Sequence, residues 1–564
     1  MWKLVVIMAM SVSSQIWASG LQDLGKDFFS WRAVQQPCAG DDIPRVERPI
    51  GWAPDWSASS LESMRSDYQK YRDRLDALNK EGWTRADYVD FLSLRSAIER
   101  VNWELNILRA PHRNPDFYVH QTLGALYEIL TKPSLDESDI NELLVRLKSI
   151  PNTVAHAREN LTDTVGPFAD IALGNIKDME QKFADMSDAL IKQAPNGQHT
   201  ALRDACKKAG AAMVAYEKWL KDHRSSMKPL WTIGREGYAY FLKNIAMIPY
   251  SPEELLAMGR MEWERSVSFE MLELNRNAGV AKPKIFPTLE AEVKQAAKDE
   301  QAIRDFLEKN NIMTVPAWLQ HYKMGPRPDH LKPIVYMGVD DDLTNESRLD
   351  EHAMRYLPEP GPNLGFFFRA TAQDTRPLII HEGIPGHYYQ MARSWKNERP
   401  IRRRYIDSGA NEGIGFYVEE MMLQAGLFKD SPRGREIIYR FMRLRGLRVE
   451  VDIRLAIGDF NVDQAGDYLA RVVPMDKETA VHEAGFFAYN PGQAITYQIG
   501  KIQIHQFMSD ASLQKKDAFN LRDFHDYLMV NGNVPIALLR WERLGLRDQI
   551  DKLTQGVVDI PKGL

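Results

Sequence analysis

The stretch HEGIPGH, His381 to His387, constrains this chain more than any other feature. Two imidazoles with a carboxylate beside the first are metal-binding residue types, provided that both rings can reach one ion. In the familiar His-Glu-x-x-His pattern, residues i and i+4 share one helix face. Here the second His stands at i+6. At about 100° per residue it points about 120° away from the first. A regular helix therefore cannot aim both rings at one point. Pro385 lacks an N–H, and its ring clashes with the carbonyl of His381, four residues back. Gly386 accepts backbone angles closed to other residues. The spacing predicts a helix that bulges at Pro385-Gly386 and resumes with His387 turned back towards His381.

Thirty-one residues after His381 comes Glu412, in NEGIGFYVEEM. Two His, an adjacent Glu and a later Glu are the parts of a zinc hydrolase. Zinc takes nitrogen and oxygen ligands, and a catalytic site keeps one position for water. The ion lowers the pKa of that water towards about 7, and a nearby Glu can take its proton. Glu419, seven residues after Glu412, falls close to the same helix face. It is either a solvated charge or the group that accepts the other N–H of a ligand imidazole. Asn411 is placed to cap the helix N-terminus.

Further along, Gln493, Tyr497 and Lys501 follow the turn Tyr489-Asn490-Pro491-Gly492 at four-residue steps. They would share a helix face. Tyr497 is a candidate donor for a tetrahedral oxyanion, or a core tyrosine. Among Arg443, Arg445 and Arg448, one could bind a substrate carboxylate bidentately. Arg448 with Asp452 reads first as a structural i,i+4 pair. Arg402-Arg403-Arg404 reads as a solvated face.

HEGIPGHYYQ, NEGIGFYVEEM, YNPGQAITYQIGK and FHDYLMVNGNVPIALL together resemble the bacterial family called domain of unknown function 885. The likeness is sharpest from Gly365 to Leu539. NEGIGFYVEE is also similar to the zinc-glutamate segment of aminopeptidase N relatives. A His-Glu motif lengthened before its second His is similar to dipeptidyl peptidase III. The resemblance implies a large, helical, zincin-like (gluzincin-type) metallopeptidase fold with a small β element beside the metal helix. It implies zinc held by His381, His387 and Glu412, with Glu382 as general base. By the same resemblance Gly365–Arg369, including Phe367, is either a strand that pairs with an extended peptide or an ordinary core strand. One departure is Val451–Ala456, where family members often carry a VDTGLH-like stretch ending in His.

The 564 residues carry a net charge of −5 and no basic tract, which argues against a nucleic-acid partner. Hydrophobic residues make up 44%, enough for a large core. Lys3, the apolar run Leu4–Met10 and the small residues Ala18-Ser19-Gly20 read as a signal peptide spanning residues 1–20. The expected mature protein is exported, periplasmic or secreted, without a membrane anchor. Only Cys38 and Cys206 are present, so one disulfide or two thiols are both open.

Apolar periodicity predicts helices over 61–109, 136–160, 167–193, 199–223 and 288–310. Ser251-Pro252-Glu253-Glu254 predicts a helix start for a further helix reaching 275. Residues 21–60 read as a weakly patterned arm. The two best strand signals are 333–337 and 364–369. The expectation is thus a mainly α domain over 21–564. Its N-terminal helical half (21–325) would wall a deep cleft, and its second half (326–564) would hold the metal. Peptide hydrolysis, hydrolysis of another amide or ester, and a non-catalytic helical binding protein all remain open at this level.

Overall fold

In the computed structural model, the described residues are 20–39, 46–230, 232–406 and 408–564. The expected signal peptide lies outside them, apart from Gly20. The chain is mainly helical, with 68% helix against 3% strand.

Helices form where the periodicity places them, and their ends follow local chemistry. In sequence order the helices that matter are α1 (residues 20–35), α2 (Ala58–Asp76), α3 (Arg85–Asn102), α4 (Glu137–Asn160), α5 (His199–His223), α6 (Pro252–Arg276) and α7 (Leu289–Lys309). The Ser251 hydroxyl accepts from Glu254 N, and the Glu254 carboxylate accepts from Ser251 N. This reciprocal box is worth about 1 kcal/mol. The single helix expected over 61–109 breaks between α2 and α3, where Gly82 takes φ +76°. The one expected over 167–193 divides into Gly166–Asn175 and Met179–Ile191, with Asp178 at φ +59° between them. The weakly patterned arm expected over 21–60 opens with a regular helix. Leu21, Leu24 and Phe28 on α1 are buried in the main core. The periodicity of α1 is short and ends near Pro37, so Pro and Trp nearby mask it.

A three-stranded sheet is the only strand structure among the described residues. It comprises β1 (Tyr322–Pro326), β2 (Asp341–Asp342) and β3 (Ala353–Leu357). Its order is β1-β3-β2, with β1 parallel to β3 (Tyr322 opposite Ala353) and β2 antiparallel to β3. Neither expected strand forms. Residues Lys332–Met337 make a 3₁₀ helix opened by Pro333. Phe366–Thr371 is an α-helix, and Phe366 N donates to Asp476 Oδ2 at 3.1 Å. A short apolar run has no period that separates strand from buried helix.

The second half adds α8 (His387–Ser394), α9 (Ser408–Gln424), α10 (Pro432–Ile457), α11 (Lys477–Tyr489) and α12 (Thr496–Lys515). α9 and α12 cross with glycine on glycine. A Cβ on Gly413 would sit 2.6 Å from the Gly500 Cα. One apolar cluster extends from Leu21 to Ile560, so both halves share a core. Cys38 and Cys206 are buried and form no disulfide with each other. Among the described residues, no helix is long and apolar enough to cross a membrane.

Three charged features depart from expectation. Arg402 is not solvated. It is 4% exposed and binds Asp90 Oδ1 at 2.7 Å and Glu542 Oε1 at 2.7 Å. Arg448 pairs with Glu483 at 2.6 Å instead of Asp452. Asp452 instead accepts Gly492 N at 2.8 Å and Ile495 N at 3.1 Å, which tethers the entry to α12. Sequence spacing sees partners only on the same helix, whereas these come from elsewhere in the fold.

Candidate metal centre

The HEGIPGH segment solves its spacing problem by ending one helix and starting another. Ile379–Gly383 is a π-helical turn, Ile384 is extended, and Ile384-Pro385 is cis. α8 then begins at His387, so this is a full break where a bulge was expected. Gly386 packs directly on the preceding turn. A Cβ there would fall well inside contact distance of the His381 carbonyl. Gly383 has a similar duty, because a Cβ would lie 2.5 Å from the Tyr322 ring on β1. The strand beside this segment is therefore β1, not residues 364–369.

The break brings the two imidazoles together, with ring centroids 4.8 Å apart. His381, Glu382 and His387 offer ligand atoms that all lie within 4.8 Å of one another. Glu412 enters from α9. Its Oε2 is 3.5 Å from His381 Nε2 and 3.4 Å from His387 Nε2. Ligand atoms about 2.0–2.1 Å from a tetrahedral zinc stand about 3.3 Å apart, so both carboxylate–imidazole distances suit such an ion. His387 Nε2, Glu412 Oε2 and Glu382 Oε2 are buried without a hydrogen-bond partner. Buried polar atoms normally have partners, and a cation would supply the missing one.

Neighbouring side chains hold His381 and Glu412 in place. Glu419 is buried, and its Oε1 lies 2.7 Å from His381 Nδ1. Arg445 grips Glu419 from behind, NH1 to Oε2 at 3.0 Å and NH2 to Oε1 at 2.9 Å. Tyr497 donates its hydroxyl to Glu412 Oε1 at 2.8 Å, leaving Oε2 aimed at the imidazoles. Burial and Arg445 push the His381 imidazole towards neutrality, but the neighbouring carboxylates of Glu412 and Glu419 outweigh them and lift its pKa to about 9. Burial pushes the Glu412 carboxyl up. The His387 and His381 imidazoles reverse this and hold it well below the usual carboxylate range.

Gly415, the second glycine of NEGIG, packs against both imidazoles. A Cβ there would lie 2.8 Å from His381 Cε1 and 2.9 Å from His387 Cε1. Arg445→Met removes the Glu419 clamp, and we expect metal affinity to fall about 10- to 100-fold. Competition with a chromophoric chelator measures this, and unchanged affinity would deny Arg445 its role.

Not every expected site residue gathers here. Asn411 does not cap α9, which starts a turn earlier at Ser408; its Nδ2 is 3.4 Å from Asn533 Oδ1. Arg448 approaches the Tyr497 ring at 4.6 Å, but its guanidinium is engaged by Glu483. Phe367 packs on Phe366 and Phe441, one ring away from Arg445. Ala456, at the place of the family's His, is buried in an apolar cluster.

Sequence reasoning missed the groups behind Glu382. Tyr322 donates to Asp341 Oδ1 at 2.6 Å, and Arg355 binds Asp341 Oδ2. Burial is the largest influence on the Asp341 carboxyl, opposed by Arg355 and reinforced by the Glu382 charge, and its pKa is pushed up to about 6. The DD of β2 carries no motif that would reveal this.

A chamber of about 220 Å³ opens beside Glu412. Its walls come from both halves, with Trp56, Trp103 and Phe117 facing Arg404, Phe486 and Tyr489.

Two solved structures share the fold. One is described as "a putative lipoprotein of unknown function from Shewanella oneidensis", with a TM-score of 0.67 and 16% identity over 95% of this chain and 99% of that one. The other is "the putative lipoprotein from Colwellia psychrerythraea", with a TM-score of 0.72 and 16% identity over 94% and 98%. Comparison with curated proteins finds no match. Residues 50–542 match the family described as "Bacterial protein of unknown function (DUF885)". The chain belongs to that family.

Proposed function

We propose that this protein is an exported zinc-dependent peptidase of zincin-like type. The observation that carries the reading is Glu412 Oε2 lying 3.5 Å from His381 Nε2 and 3.4 Å from His387 Nε2, with the carboxylate of Glu382 within 4.8 Å of both imidazoles. His381, His387 and Glu412 would hold the ion. When bound, zinc polarises a water and brings its pKa towards about 7.

Glu382 accepts a proton from the attacking water at Oε2, the oxygen without a partner, and delivers it to the leaving amine. Arg355 and Asp341 set the charge behind that carboxylate. Glu419 and Arg445 fix the His381 ring through Nδ1, so Nε2 is the nitrogen turned towards the ion's position. Tyr497 has one O–H proton, which it gives to Glu412. It orients the ligand carboxylate, and it supports an oxyanion by turning that proton to the substrate. The chamber beside Glu412, walled by both halves of the chain, favours short or unfolded peptides over folded proteins. Export is supported by the N-terminal Lys3 and apolar pattern and by the two lipoprotein-described structures of the same fold.

The test is a quenched-fluorescence peptide library, run beside ester and non-peptide amide panels on zinc-loaded protein. Cleavage of peptides that stops on chelation is expected. Turnover confined to esters or non-peptide amides would replace the peptide assignment with another hydrolase activity.

A further inference from the structure

The chamber beside Glu412 has walls with a distinct chemistry, and Arg404 is its most available charge. We propose that Arg404 anchors the free α-carboxylate of a short peptide, so that substrate enters the chamber C-terminus first and is cut near that end. The inference rests on the zinc-peptidase reading and names the substrate class for it.

The three arginines at 402–404 have different fates. Arg402 is locked to Asp90 and Glu542. Arg403 binds Glu346 Oε1 at 3.0 Å and the Asn397 carbonyl at 2.7 Å. Arg404 has only a long contact from Nε to Glu346 Oε2 at 3.7 Å, and its side chain is 44% exposed. Its NH1 and NH2 groups have no hydrogen-bond partner among the described residues. An unengaged guanidinium offers two parallel donors matched to a carboxylate.

The rest of the lining favours the same end of a peptide. The chamber carries three arginines, Arg32, Arg100 and Arg404, against two acids, Glu104 and Glu412. Glu412 faces the two imidazoles, and Glu104 is paired with Arg32. No carboxylate is left for a substrate ammonium group, whereas a positive charge is left for a carboxylate. The aromatic walls Trp103, Phe117 and Tyr489 of the same chamber suit apolar side chains of the bound peptide.

A second observation marks the chamber as a ligand site. The described residues contain three π-helical turns. Trp103–Leu108 and His120–Gly124 both contribute to the chamber wall, and the third carries His381 and Glu382. Such wide turns are rare and concentrate at functional sites.

The test uses the zinc-loaded Glu382→Gln protein, which should bind peptide without consuming it. Its affinity is measured by fluorescence anisotropy for dansyl-Ala-Phe-Ala with a free carboxylate and for the same peptide as its C-terminal amide. The free acid should bind about 10- to 100-fold tighter, as a charge-assisted pair implies. Adding Arg404→Gln should reduce acid binding to the level of the amide, and Arg404→Lys should recover part of the preference. Thermal melting checks that each variant is folded. Equal binding of acid and amide, a preference that survives Arg404→Gln, or no binding of either peptide overturns the anchor. Wild-type protein that cleaves acids and amides alike also overturns it while leaving the peptidase reading intact. Absence of zinc and of all peptide cleavage would instead remove the peptidase reading.

Discussion

Glu382→Gln should leave zinc content unchanged and reduce peptide turnover about 10²- to 10⁴-fold, the usual worth of a positioned general base. Glutamine has nearly the same shape, so the π-helical turn and Gly383 against Tyr322 are undisturbed. What it lacks is a carboxylate oxygen able to take a proton at the position of Oε2. The effect should fall on kcat much more than on KM, because the side chain acts on the reacting water and not on the bound peptide. Steady-state kinetics on metal-quantified protein reads this directly. An active, zinc-replete Glu382→Gln would remove the base from the account.

Gly386→Ala should be the most damaging single methyl in the metal half. The Cβ would overlap the His381 carbonyl, which is backbone and cannot swing aside as a side chain tip can. Relief requires His387 to move away from Glu412, which undoes the 3.4 Å approach between them. Overpacking of this kind costs about 1–3 kcal/mol, and rigid backbone on both sides favours the upper end. Gly415→Ala should act on the same atoms from the opposite side, since its Cβ would press both imidazoles at once. We expect both variants to fold with lowered melting temperature and to hold far less than one zinc per chain. Full zinc occupancy in either would mean that these glycines do not set the ligand geometry.

Much of this site is legible in the sequence because its parts are local. The i+6 spacing with Pro385-Gly386 marks the place where a regular helix must yield, although the bulge it suggests is a full break, with α8 starting afresh at His387. The seven-residue step from Glu412 to Glu419 follows from helical geometry, and both carboxylates reach the His381 ring. Helix starts with strong capping chemistry, such as Ser251, are equally plain.

What remained hidden is tertiary. Arg445 and Asp341 carry no motif, and only the fold brings them behind His381 and Glu382. The FFF run at 366–368 looks like a strand because its aromatics suit one. Gly365 and Asp476 turn it into a helix, and Asp476 is 110 residues away. The strand beside the motif, β1, has the sequence YKMGP, too short and too polar to stand out. Arg404 looks like one of three equivalent charges, and only burial separates it from Arg402.

The most direct test of the central claim is metal content by mass spectrometry on purified mature protein, beside the His381→Ala/His387→Ala double variant. The account predicts close to one zinc per wild-type chain and almost none in the variant. No zinc in the wild type after supply of the ion, or equal zinc in both proteins, would contradict it.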